Sequence, residues 1–169
     1  MSWQDDKAWA DKNVRQARTI VGYYATQVAC DVLDIEQATD LITERKQVAW
    51  RMRRRRNRDN FADFGNTITV RSKRPSGVPT ELDKIREGFG DWFLLCYPHS
   101  NDEGIEHWGV FNLDVFREVD RDWGWIKNRR DIWNYDGSSA FRSYPITKMP
   151  DAFIVGASPG LRQRLREAG

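Results

Sequence analysis

The sequence predicts an α+β domain in which a mixed central β-sheet is flanked by helices. Three observations carry this. Segments 46–54 and 66–73 alternate apolar and polar residues at the period of a half-buried strand. The apolar run DWFLLCYP, 91–98, reads as a strand buried on both faces. Between them, residues 80–88 read as a short capped helix. Consecutive strands imply hairpin pairing, and the inserted helix allows a crossover, so 31–42, 46–54, 66–73 and 91–98 are expected to share one sheet with the helix on one face. The chain has 169 residues, 40% of them hydrophobic, with eight Trp and eight Phe. That is enough apolar surface to build a core, and the length fits a single domain over 1–169.

In chain order, residues 3–29 read as helix, since Trp9, Val14, Ala17, Ile20, Val21 and Tyr24 recur at roughly helical spacing; Asp5 and Asp6 sit near its start and Gly22 weakens it locally. Residues 31–43 read as a strand or hairpin edge built on Val32, Leu33, Ile35, Leu41 and Ile42. In 46–54, Val48, Trp50 and Met52 point one way and Ala49, Arg51 and Arg53 the other, towards an exposed or cleft-facing side. In 66–73, Ile68 and Val70 oppose Thr67, Thr69, Arg71 and Lys73. RPSGVP is a turn. Thr80, followed three residues later by Asp83, forms a capping box with Asp in place of Glu or Gln, and Gly88 is a C-terminal stop. Residues 105–119 read as a strand with a short continuation, 130–146 as an aromatic hairpin turning at Asp136-Gly137, and 152–157 as a last short strand. LRQRLREAG reads as a basic frayed helix.

No apolar run approaches the roughly 20 residues that span a bilayer, and the charged start MSWQDDKAWADK lacks the apolar stretch of a signal peptide. Cys30 and Cys96 show neither a disulfide framework nor metal spacing, so two reduced thiols in a cytoplasmic protein are expected. His99 and His107, without partners at zinc spacing, are expected at strand ends. Net charge is only +2, but it is unevenly spread. The fourteen residues Arg45 to Arg58 hold eight Lys or Arg, and the next acid is Asp59. A local cluster of this kind, more than the total, makes a footprint for phosphate or nucleic acid. Arg51 and Arg53 share a face, while Arg54, Arg55, Arg56 and Arg58 run into the loop. With Arg71, Lys73 and Arg74 on the following strand, they are expected to form one positive surface that neutralises phosphates without reading sequence. The aromatics Trp123, Trp125, Trp133, Tyr135, Phe141 and Tyr144 read equally as core or as an exposed binding surface.

The order helix, three strands, helix, strand is similar to the core of the PD-(D/E)XK nuclease-like superfamily. Asp40, in ATDL, resembles that superfamily's first metal-binding aspartate. Where the acid-X-lysine pair is expected, this chain has Trp50-Arg51-Met52-Arg53, with Arg51 at the acid position and Arg53 at the lysine position. TVRSKRPSGVPTELDKIREGFGDWF resembles the third strand and second helix of such proteins. The ATDL, RSKR-SG-TELDKI and GDW segments also resemble those of a group of phage and prophage proteins. The resemblance spans about 10–118 and implies a restriction-endonuclease-like core, with 119–169 as a C-terminal extension, in a protein of a bacterial host's cytoplasm.

A metal-dependent nuclease needs carboxylates that converge on Mg²⁺ and a group that activates water. Arg51 at the acid position reverses that logic: a guanidinium beside Asp40 pairs with it and repels a divalent cation. At about 4 Å and an effective dielectric near 20, such a contact is worth several kcal/mol before desolvation. No resident cofactor is therefore expected. Catalysis would have to use a rearranged cluster of Glu36, Asp40 and Glu81, with Lys84 moved from strand to helix, and only then with Mg²⁺. Read structurally, the same acids balance the nearby arginines, and Lys84 pairs with Glu81 on the helix surface. The expected function is nucleic-acid binding on a nuclease-like scaffold with catalysis weak or lost. The alternatives are an active metal-dependent DNA nuclease and a phage counter-defence protein that binds a host protein complex.

Overall fold

The computed structural model describes residues 3–24, 46–53, 61, 65–122 and 131–169. The strand expected at 31–43, the end of the helix expected over 3–29, Cys30, Trp123 and Trp125 lie outside the described residues.

The chain is α+β, as its patterning predicts, but its described strands form two sheets where one was expected. In the first, β1 (Val48–Met52), β3 (Trp92–Tyr97), β4 (His107–Asn112) and β7 (Ile154–Ala157) lie in the order β1-β3-β4-β7. β1 runs parallel to β3 with Met52 opposite Cys96, and the other pairs are antiparallel. In the second, β2 (Thr67–Lys73), β6 (Ala140–Pro145) and β5 (Ile132–Trp133) are antiparallel in the order β2-β6-β5. The expected hairpin pairing of 46–54 with 66–73 is therefore corrected. β2 takes its ladder from β6, far along the chain, and turns its other edge towards side chains of β1. Residues beyond 119 contribute to both sheets, through β7 in one and β5 and β6 in the other.

β3 is central to the first sheet because WFLLCY is apolar throughout, and all six residues are buried. One face of this sheet, with Trp92, Leu94, Cys96 and Val110, meets a helical stretch, α2 (14–24), through Ala17, Ile20, Val21 and Tyr24. The other face, with Phe93, Leu95, Tyr97 and Phe111, meets Ile68 and Val70 of β2, Tyr144 of β6, and helices from both halves of the chain. The helix predicted over 3–29 is interrupted after α1 (Trp3–Asp11). Asn13, a poor helix-interior residue and a good cap, closes the first turn onto Ala10 (2.9 Å) and accepts from the Ala17 amide (3.0 Å) to begin the next. Gln16 then fixes α2 to the loop before β4, exchanging hydrogen bonds of 2.8 and 3.0 Å with the Ile105 backbone.

The helix α3 (Glu81–Arg86) carries the predicted capping box: Thr80 Oγ1 accepts from the Asp83 amide and Asp83 accepts from the Thr80 amide. Its end is a Schellman turn, in which the Phe89 amide reaches the Lys84 carbonyl (3.0 Å) and the Gly88 amide reaches Ile85 (3.1 Å), with Gly88 at φ +97°. Leu82 and Ile85 face the core. The segment after β4 is corrected from strand continuation to helix: α4 (Leu113–Asp122) starts where Asn112 Oδ1 accepts from the Asp114 amide at 2.9 Å, and buries Leu113, Phe116 and Val119. The terminal helix α5 (Pro159–Ala168) is docked where fraying was expected, since Ser158 caps it and Leu161 is buried. The hairpin turns where predicted, with Gly137 at φ +67°.

Candidate functional site

Side chains from β1 and the residue after it reach the edge of β2 that β6 does not pair. Arg51, on the parity of Ala49, reaches out from β1. Its Nη1 donates to the Thr69 carbonyl at 2.6 Å, and its Nη2 pairs with Glu81 Oε2 at the start of α3. The same carboxylate oxygen accepts the Arg71 amide at 3.1 Å. The exposed backbone of an edge strand is a liability. Here a donor from β1 and an acceptor from α3 satisfy one carbonyl and one amide of β2. Arg53 meets the same residue through its side chain, donating to Thr69 Oγ1, and lies over the Tyr97 ring at 5.9 Å from its centroid.

The electrostatics are those of crowded cations. Burial lowers the Arg53 pKa and nearby Arg51 lowers it further, against the raising effect of Tyr97. Burial also lowers that of Arg71, helped by Arg74 and Arg51 and opposed by Glu81. Arg71 Nε is buried and has no hydrogen-bond partner among the described residues. The Arg51 and Arg71 guanidiniums lie 5.6 and 5.5 Å from the centroid of Phe141 on β6. At the far end of β2, Lys73 meets Asp131 at 3.1 Å, and Asp131 also takes Arg142 (3.1 Å) and the Ser72 hydroxyl (2.7 Å).

Arg51 and Arg53 were expected on an exposed or cleft-facing side; both are half-buried and engaged within the protein. Arg71 and Arg74 are half-buried and Lys73 is exposed. Of the acids considered for catalysis, Glu81 balances arginines, and its carboxylate turns to Arg51 across the edge of β2. Lys84 is exposed on α3. Glu36, Asp40, Arg54, Arg55, Arg56 and Arg58 lie outside the described residues, so the expected contact of Arg51 or Arg53 with Asp40 does too. His107 opens β4 and His99 follows β3, and they flank Glu106 at 3.9 and 3.8 Å. Among the described residues, no three His, Cys, Asp or Glu side chains are arranged to hold a metal ion.

Comparison with known proteins finds no matching family model, curated protein or solved structure.

Thr69, Asp131 and Arg142 belong to this region, although the sequence does not single them out as binding residues, and so does Phe141, one of the aromatics that read equally as core or binding surface. Thr69 shares parity with Arg71, which is the available signal. Phe141, Asp131 and Arg142 come into reach only through the β2–β6 pairing, across some seventy residues of chain. Trp50 packs with the core face of the first sheet. Of the C-terminal aromatics described, Tyr144 is buried, Phe141 is half-buried, and Trp133 and Tyr135 are exposed.

Proposed function

We propose that this chain binds the phosphate backbone of nucleic acid along the β1–β2 edge, on a nuclease-like scaffold whose catalysis is weak or lost. The observation that carries the reading is the crowding of Arg51, Arg53, Arg71 and Arg74, in which burial first and neighbouring cations second lower the pKa of Arg53 and Arg71 while Glu81 answers part of the charge. Cations held this close are relieved by an anion, and a phosphate supplies both the charge and the acceptors that guanidinium forks want. The run Arg54, Arg55, Arg56 and Arg58 continues the same charge along the chain from β1. Glu81 supports the loss of catalysis: a carboxylate already held by Arg51 and the Arg71 amide is poorly placed to serve a divalent cation as well.

The test is a titration of labelled DNA and RNA at several salt concentrations. Arg74→Ala and the triple change Arg54→Ala, Arg55→Ala, Arg56→Ala should each weaken binding and flatten the log–log salt slope. Every phosphate that a variant no longer neutralises should lower that slope by about 0.9 on duplex DNA, or by about 0.7 on a single strand. Unchanged affinity and slope in both variants would remove nucleic acid as the partner of this edge. A parallel incubation with Mg²⁺ or Mn²⁺ addresses the nuclease alternative: metal-dependent cleavage that Asp40→Ala abolishes would show an active enzyme instead.

A further inference from the structure

The second sheet carries the cationic edge on, past the half-buried Phe141, to the exposed Ile132, Trp133 and Tyr135. In its antiparallel register, Arg71 stands opposite Phe141, and Phe141 opposite Ile132. These three share one face, and Ile132 is 66% exposed. The next row, on the other face, runs Lys73, Ala140, Trp133. Trp133 is 48% exposed, and Tyr135, at the hairpin tip, is fully exposed. Exposed aromatics and an isoleucine grouped on one small hairpin are unusual on a soluble surface, and such groups mark contact sites.

Charge complementarity selects the occupant. From Lys73 to Trp133 is two strand spacings, roughly 10 Å, or about three stacked nucleotides at ~3.4 Å each. Lys73 and Arg142 share Asp131, so the root of the hairpin keeps an excess of positive charge. At the tip, the exposed Asp136 carboxylate accepts from the Ser138 amide at 2.9 Å. Planar rings beside cations suit a ligand with a charged backbone and flat apolar faces. A duplex hides those faces in its stack, whereas a single strand offers them, and base-on-aromatic stacking needs no particular sequence.

We infer that the β5–β6 hairpin is a stacking platform for unpaired bases, with Trp133 and Tyr135 taking the bases while the adjoining cations hold the phosphates. The inference rests on the phosphate-binding reading above and adds that the preferred ligand is a single strand. Tyr135 is fully exposed and Trp133 about half exposed, so replacing them removes little packing.

The experiment compares four labelled probes: a DNA strand of mixed sequence, its RNA counterpart, an abasic strand of equal length, and the DNA duplex. The full chain should bind the base-bearing strands at least tenfold more tightly than the abasic strand. Trp133→Ala with Tyr135→Ala should cost about tenfold or more on base-bearing strands, leaving abasic and duplex binding and the salt slope unchanged. DNA and RNA strands should behave alike, since stacking does not read the sugar. Equal affinity for abasic and base-bearing strands, with steep salt dependence, would overturn the platform and leave phosphate binding standing. No binding to any probe would remove both. If the double variant instead changes the sedimentation mass, or releases a bound protein, the hairpin is a protein contact and the inference fails.

Discussion

Arg51 is the residue on which most of the local chemistry turns, because one guanidinium meets a backbone carbonyl, a carboxylate and an aromatic ring. Its side chain is 21% exposed and that of Glu81 26%, so neither partner falls back easily on water. Arg51→Ala should therefore cost about 1–2 kcal/mol, more than a surface ion pair, since it leaves Glu81 with a single amide and the Thr69 carbonyl with no donor from β1. Glu81→Ala should cost a similar amount. The double variant should be less destabilised than the sum by roughly 0.5 kcal/mol or more, as contacting residues couple. Urea denaturation of the four proteins checks this, and strict additivity would mean that the pair contributes nothing of its own. That Arg51 faces inward is half legible. Its parity opposite Trp50 is plain in the sequence, but what it finds there depends on β2 and α3. Nothing near residue 51 indicates a partner at 81.

At the scale of elements, local chemistry is legible in the sequence and pairing is not. The capping box of α3, the glycine stop after it, the buried run of β3 and the hairpin turn at Asp136-Gly137 are all written within a few residues of where they act. Thr80→Ala removes the acceptor for the Asp83 amide and should cost about 1 kcal/mol. It should also raise the Asp83 pKa, since hydrogen bonds from the Thr80 amide and hydroxyl are what hold that carboxyl low. Chemical denaturation and a carboxyl titration by NMR read the two effects, and a stability unchanged within error would show that the cap is dispensable. α4 departs from the strand expected there although its signals are local: Asn112 caps it, and Leu113, Phe116 and Val119 recur at threes. The aromatic and branched residues just before it favour continuing the strand. The split into two sheets is not legible, because it is set by β2 choosing β6 over its neighbour in sequence. Such a choice follows from whole-core packing and leaves no mark in either strand's own pattern.

For the whole molecule, the same pairing makes Asp131 a point of dependence on pH. Burial pushes its carboxyl up, but hydrogen bonds from Ser72 and Lys73 and the charge of Arg142 outweigh it and hold the pKa below the ordinary carboxylate range. A depressed folded-state pKa adds stability that is present above the unfolded value of about 3.9 and lost as pH falls through the folded one. Stability should therefore decline with acidification from about pH 5 downwards. Asp131→Asn should be less stable at neutral pH and show a shallower decline, measured as denaturant midpoint against pH; parallel curves would exclude this carboxylate as a source of the slope. The seam between β1 and β2 has a mechanical consequence. Between these two strands the sheets meet through guanidinium side chains and a carboxylate, so a load passing along that line travels through flexible arms instead of through peptide hydrogen bonds. Such a joint resists separation, because pulling it apart strands charges, yet it yields to sliding, because long side chains can re-aim. Its charges are half-buried, so salt screens it only weakly and the joint keeps its hold as ionic strength rises.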